Sequence, residues 1–138
     1  MKRKGFCVLT MILLLSSSAA AAADFGWVTD FNLRAYTDPS GYRAQIAARF
    51  RVGEVQITAV LGDVSSPADA YIVFRLGEMS RRPIDDVLKQ YKTSKGKGWG
   101  VVAQSLGIKP GSAEFQALKK GQDLYPNSPG KAKGQKKH

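Results

Sequence analysis

The sequence predicts an all-α domain, a small bundle of about five or six short helices. Two observations lead to this prediction. Three segments begin with the proline-led pattern that is typical of a helix start, at Pro39, Pro67 and Pro83. In addition, the apolar residues that follow Pro83 recur with the period of an α-helix.

Residues 1–23 are expected to be a signal peptide rather than part of the fold. A basic start precedes the apolar run Phe6–Leu15, and small residues follow it, which is the order of a secretory signal. The run is too short to cross a bilayer comfortably. We therefore expect export, cleavage near Ala23 and a helical domain over residues 24–121. Cys7 is the only cysteine, so the mature domain would hold no disulfide or thiolate ligand.

The first proline-led start, Asp38-Pro39, precedes apolar residues at helical spacing from Tyr42 to Phe50. The alternative is an α+β domain with an N-terminal hairpin, in which residues 38–41 form the turn between strands at 32–36 and 42–50. We prefer the helix because the three proline-led starts agree with one another.

The segment Glu54–Leu61 fits either a strand or a short helix. Its apolar residues alternate from Val55 to Leu61, as they would in a strand, whereas Val60 and the compact spacing also allow a helix. The sequence leaves this choice open.

The next segment has the pattern of a capped, buried helix. Ser66 offers a hydroxyl for the cap, Pro67 suits the first helical position, and Asp69 lies three residues after the cap. The run from Ala70 to Met79 is apolar nearly all round, so we expect this helix in the centre of the bundle.

The clearest amphipathic helix runs from Pro83 to about Thr93. Asp85 and Asp86 lie in its first turn, where the helix dipole stabilises negative charge. One face carries the apolar residues at positions i, i+3, i+4 and i+7, namely Ile84, Val87, Leu88 and Tyr91.

Two further short helices are expected at residues 99–106 and 112–120. Gly107 and Gly121 follow them and suit the left-handed conformation that ends a helix. The expected bundle is then complete.

The turn after residue 106 also has features of a DNA-binding helix-turn-helix. Ala103 and Ala113 are small residues on either side of the turn glycine Gly107, and Ile108 and Phe115 could pack beneath. Any tight helix crossing needs the same residue types, and few base-reading side chains follow. Nucleic acid is therefore not the partner we expect.

Five segments carry a resemblance to known proteins: Pro67–Ala70, Arg75–Glu78, Arg82-Pro83, Gly96–Val101 and Leu106–Ser112. Through them, the chain resembles a group of small exported bacterial proteins of unassigned activity, over about residues 42 to 121. The resemblance implies export and a helical domain, and it transfers no catalytic or binding residue to this chain.

Lysines cluster before the helix that begins at Trp99. Lys92, Lys95 and Lys97 precede its N-terminus, where backbone N–H groups and the helix dipole favour an anion. The spacing of a nucleotide-binding P-loop is absent. We therefore take an anion site at these lysines as a hypothesis, and the alternative is that three solvated lysines simply cover a loop. Trp99 is expected to anchor in the core.

The last residues, 122–138, are expected to form a disordered basic tail. They contain hardly any apolar side chains that could bury surface. The tail contributes four cations to the predicted anion-binding residues: Lys131, Lys133, Lys136 and Lys137. Such a tail favours anionic surfaces.

Catalysis is not expected. The single histidine is His138, at the end of the chain, so the predicted fold offers no imidazole. A glycosidase pair could be drawn from Glu78 with Asp85 or Asp86. However, these aspartates are explained as helix-start residues, and Glu78 has arginines nearby for ion pairing.

The sequence thus predicts an exported, non-enzymatic binding protein with a net charge of +10 before processing. Its expected partner is an anionic envelope polymer, a lipid surface or an exported protein. No metal or cofactor is expected. Two alternatives stay open: a helix-turn-helix-like nucleic-acid binder and a cell-wall hydrolase.

Overall fold

The computed structural model describes residues 24–126, and within this range the chain is all-α, as predicted. The seven helices are α1 (Val28–Thr37), α2 (Pro39–Phe50), α3 (Glu54–Asp63), α4 (Pro67–Ser80), α5 (Ile84–Thr93), α6 (Trp99–Ser105) and α7 (Ala113–Lys120). The predicted signal peptide and residues 127–138 lie outside the described residues. No helix in the described part is long and apolar enough to cross a bilayer.

Helix α1 is the element that the sequence did not predict, and with it the described residues form seven helices where about five or six were expected. Its buried residues are Phe31 and Ala35, one helical turn apart. The opposite face carries Leu33 and Tyr36, which are exposed. Because apolar residues occupy both faces, the helical period is obscured in the sequence.

The α+β alternative is wrong, because residues 32–36 and 42–50 are helical. Asp38 caps α2 rather than turning a hairpin, and its carboxylate accepts a hydrogen bond from the amide of Gly41 at 3.1 Å. This is the capping role that an aspartate before a helix commonly has.

The ambiguous segment is the helix α3. Its buried residues are Ile57 and Val60, three positions apart. Val55 is 86% exposed, so the alternation that suggested a strand does not mark the buried face. The buried face is marked by Ile57 and Val60, which are spaced as in a helix.

Helix α4 is the central helix, as predicted. Ser66 caps it by accepting a hydrogen bond from the amide of Asp69 at 3.2 Å. Its buried residues lie on all sides, from Pro67 to Gly77. A Cβ atom on Gly77 would lie 2.8 Å from the Cδ1 atom of Ile84, so a larger residue would displace the end of that side chain where α5 packs on α4.

The turn between α6 and α7 is tight. Gly107 has a φ of 85°, which favours glycine, and the amide of Ile108 donates to the carbonyl of Ala103 at 2.9 Å. Gly121 departs from the prediction, because its φ of −175° is extended backbone. Ala113 is exposed rather than packed in the crossing.

An aromatic cluster around Phe31 forms the middle of the core. Four ring centroids lie between 5.1 and 6.0 Å from that of Phe31, those of Tyr125, Tyr71, Trp27 and Tyr42. Three of these four pairs meet edge to face, which is a favourable arrangement of ring quadrupoles.

Both ends of the described chain belong to this core. The indole Nε1 of Trp27 donates to the carbonyl of Leu118 at 2.8 Å. At the other end, Leu124 is 4% exposed and the ring of Tyr125 packs on Phe31. The packed domain therefore extends past Gly121, which corrects the predicted start of the tail at residue 122.

Candidate functional site

The three lysines of the predicted anion site do not converge. Lys92 forms an ion pair with Asp63 of α3, with 3.1 Å between Nζ and Oδ2. Lys95 lies over the ring of Tyr91, with its Nζ 6.0 Å from the ring centroid. Lys97 is exposed in the following loop. Since α6 is also only seven residues long, the described contacts give no support to an anion site made by these lysines together.

A cleft of about 450 Å³ opens where α4, α5 and α6 meet. We name it the Tyr91–Trp99 cleft, after the two rings in its wall. These rings are stacked, with centroids 5.3 Å apart and planes inclined by 26°. Trp99 is only partly buried, so it packs on the core as predicted and also contributes surface to the cleft.

The same cleft holds a carboxylate and an ammonium group, those of Asp69 and Lys95. The Tyr91 hydroxyl donates a long hydrogen bond to Asp69, with 3.4 Å between Oη and Oδ2. Burial is the largest influence on Asp69 and raises its pKa above the ordinary value, although the hydrogen bonds from Tyr91 and the Ser65 amide and the charge of Lys95 act in the opposite direction. The fold therefore keeps a carboxylate where its charged form is disfavoured.

A second polar cluster joins α2, α4 and the C-terminal segment. Arg49 donates to Glu78 through Nη1 at 2.7 Å and to Asp123 through Nε at 3.1 Å. Arg75 donates to the same Glu78 at 3.0 Å, and the hydroxyl of Tyr71 donates to Asp123 at 2.7 Å. Tyr71 also accepts from the amide of Asp123 at 3.0 Å. These contacts fasten residues 122–126 to the bundle.

Two further arginines end helices in a conformation that favours glycine. Arg51 caps α2 with a φ of 57°, and Arg81 caps α4 with a φ of 61°. The ion pair between Arg49 and Glu78 brings the last turns of α2 and α4 to the same end of the bundle. We call this surface the arginine end, and it consists of Arg49, Arg51, Arg75, Arg81 and Arg82.

Part of the arginine end is not neutralised by the ion pairs of residues 24–126. Glu78 and Asp123 pair with Arg49, and Glu78 pairs also with Arg75. None of the seven ion pairs in this range involves the exposed residues Arg51, Arg81 and Arg82. The five arginines of this surface therefore outnumber the two carboxylates that pair with them, and Asp85 and Asp86 follow in the first turn of α5.

We expect the substitution Asp123→Asn to remove part of the loss of stability in acid. Burial alone would raise the pKa of Asp123, but the hydrogen bonds from Arg49 and Tyr71 outweigh it and lower the pKa. Because the folded pKa is below the unfolded value of about 4, the ionised carboxylate stabilises the fold above that pH. This contribution disappears as the pH falls through the folded pKa.

Urea unfolding of both proteins across the acidic range measures this effect. The difference in free energy of unfolding between the natural chain and Asp123→Asn should shrink as the pH decreases. A difference that stays constant with pH would contradict the prediction.

The alternative functions gain no support from the geometry. Helix α7 buries Phe115 and Leu118 in the core, as expected of a steric crossing. Glu78 is engaged by two arginines, and Asp85 and Asp86 lie in the first turn of α5. Among residues 24–126, no group of three His, Cys, Asp or Glu residues could hold a metal ion.

Sequence reasoning missed the main residues of both surfaces. Asp69 was explained as a capping residue alone, and its place in a cleft depends on how α5 and α6 fold back on α4. Arg81 could have been found, because Pro83 two residues later indicates that the helix ends before it. The predicted cations Lys131, Lys133, Lys136 and Lys137 lie outside the described residues.

No family model, curated protein or solved structure matches the chain.

Proposed function

We propose that the protein is an exported, non-catalytic binding protein that contacts a phosphate-bearing anionic component of the bacterial envelope through its arginine end. The observation that supports this most directly is the pair of helix ends at Arg51 and Arg81. Both residues have the left-handed backbone conformation, which costs a non-glycine residue roughly 1 to 2 kcal/mol. Strain of this kind is commonly kept where a side chain has a function.

The chemistry of the surface fits phosphate groups. A guanidinium group donates two parallel hydrogen bonds to a phosphate, which a lysine ammonium cannot do. Arg51, Arg81 and Arg82 are exposed, and Glu78 and Asp123 hold Arg49 in a fixed position beside them. Several phosphates in a row, as in a polymer or a lipid surface, would contact several of these side chains at once.

Chromatography of the full chain on beads that carry inorganic polyphosphate tests the proposal. We expect the double variant Arg51→Asn, Arg81→Asn to elute at a clearly lower salt concentration, because two exposed cations are lost. Asparagine tolerates the left-handed conformation, so the helix ends are kept. Lys109→Gln is the matched control, since it removes an exposed charge from the loop between α6 and α7.

Three comparisons decide the outcome. If Lys109→Gln and the double arginine variant lowered the eluting salt concentration by the same amount per lost charge, the arginine end would not be a specific binding surface. Binding that vanishes with removal of residues 127–138, yet is unaffected by the double variant, would also contradict it. Vesicles of phosphatidylglycerol, compared with polyphosphate in solution, distinguish a lipid surface from a polymer.

The same arginines lead to a stability prediction. We expect Arg81→Gly to increase the free energy of unfolding by about 0.5 to 1 kcal/mol, because glycine adopts the left-handed conformation without strain, although it loses more chain entropy. Arg82→Gly is the control, since Arg82 lacks a positive φ. Arg82→Gly should not raise the melting temperature. If both substitutions had equal effects on it, the left-handed conformation of Arg81 would not be strained.

A further inference from the structure

The Tyr91–Trp99 cleft places opposite charges on the walls of one space. Asp69 and Lys95 both line it, yet neither takes part in an ion pair within residues 24–126. Their charges attract each other but are not joined by a contact within 4.0 Å. A molecule that enters the cleft can therefore meet a hydrogen-bond acceptor and a hydrogen-bond donor of opposite charge.

The rest of the lining combines aromatic and apolar residues with the serines Ser65 and Ser94. Trp99 is only partly buried and stacks on the ring of Tyr91, and Val102 lies beside them in the lining. On the loop side, a Cβ atom added at Gly96 or Gly98 would have no heavy atom within 4 Å, so the loop leaves the cleft open. An apolar group of a ligand could pack on this wall while its charged groups reach Asp69 and Lys95.

We infer that the Tyr91–Trp99 cleft binds a small zwitterion of the amino-acid type, with its ammonium group at Asp69 and its carboxylate at Lys95. A phosphate polymer would fit this cleft poorly, because the Asp69 carboxylate repels it. A simple cation would meet the charge of Lys95. A ligand with both charges pairs with both side chains at once. The cleft is thus separate from the anion-binding surface at the arginine end.

Asp69 belongs to the cap of α4, and its carboxylate also lines the cleft. Its carboxylate is half-buried and has a raised pKa caused mainly by burial, so ionisation costs the fold free energy at neutral pH. Groups of this kind are common in binding sites. A bound ammonium would compensate the charge, which no cation does by direct contact within residues 24–126.

The test is NMR titration of the full chain with the standard free L-amino acids at millimolar concentrations. We expect at least one with an apolar side chain, such as L-leucine, to shift the amide signals of Asp69 and of residues 95–102. The matched probes are N-acetyl-L-leucine, which lacks the ammonium, and L-leucinamide, which lacks the carboxylate. Each should bind at least about tenfold more weakly, since each loses one charged hydrogen-bonding group.

Two variants test which side chain binds the ammonium group of the ligand and which binds its carboxylate. Asp69→Asn should weaken the binding of L-leucine by about tenfold or more and have little effect on the binding of N-acetyl-L-leucine. Lys95→Gln should also weaken the binding of L-leucine by about tenfold or more, but it should have little effect on the binding of L-leucinamide. Lys89→Gln, an exposed lysine on α5, should leave binding unchanged. Melting curves followed by circular dichroism separate lost binding from lost folding.

The inference would be overturned by either of two results. One is that no standard amino acid shifts the signals of residues 95–102. The other is that N-acetyl-L-leucine and L-leucinamide bind as tightly as L-leucine, because the cleft would then recognise the apolar side chain alone. Neither result bears on polyphosphate binding at the arginine end.

Discussion

Replacing Phe31 by alanine is expected to lower the free energy of unfolding by about 3 to 5 kcal/mol, a large part of the stability of a domain of this size. Phe31 is fully buried, at 0% exposure, and its ring lies at the centre of the aromatic cluster. The substitution removes the buried ring and leaves a cavity that its rigid neighbours cannot close. Chemical denaturation followed by circular dichroism measures the loss.

Leu33→Ala is the matched control for this prediction. Leu33 belongs to the same helix α1, but it is 64% exposed. Its substitution should change the free energy of unfolding by less than about 0.5 kcal/mol, as is usual for surface positions. If Leu33→Ala were as harmful as Phe31→Ala, the packed face of α1 would be assigned wrongly.

Ending the chain after Gly121 is expected to cost about 3 to 5 kcal/mol of stability. The truncation removes the buried side chain of Leu124, the ring of Tyr125 on Phe31 and the contacts of Asp123 with Arg49 and Tyr71. It therefore exposes part of the aromatic cluster and leaves the Tyr71 hydroxyl without this partner.

A chain that ends after Pro126 is the control for the truncation. It keeps each of these contacts and still lacks residues 127–138. Thermal unfolding of the two truncated chains should differ by many degrees, because a change of 1 kcal/mol shifts the melting temperature of a 100-residue domain by several degrees. Equal melting temperatures would show that residues 122–126 do not contribute to the core.

Local signals in the sequence were sufficient for the centre of the bundle. Ser66 and Asp69 form the expected cap of α4, and the apolar face of α5 is the buried one. Such features depend on residues within a few positions of each other, so the sequence displays them directly. The helical nature of the domain followed from them.

Features that depend on distant residues could not be predicted in this way. Helix α1 was missed because its burial depends on Tyr71 and Tyr125, far along the chain. Leu124 was assigned to the tail because the tail as a whole is polar. In both cases, tertiary packing outweighs the local pattern.

The candidate sites show the same division. Lys92, Lys95 and Lys97 are close in sequence, but the structure separates their roles, with Lys92 paired to Asp63. Conversely, Arg49 and Arg75 lie 26 positions apart in the numbering, and they meet at Glu78. Charge clusters therefore have to be sought on the folded surface rather than along the sequence.

The hydrogen bond from Trp27 to Leu118 spans 91 positions, and this separation affects the order of folding. The aromatic cluster draws on both the first and the last described segments, so a growing chain cannot complete it while α7 and residues 122–126 are still to be made. Until then, Trp27 lacks its hydrogen-bond acceptor and Phe31 lacks the ring of Tyr125. Native packing of α1 therefore has to follow the synthesis of the last described segment.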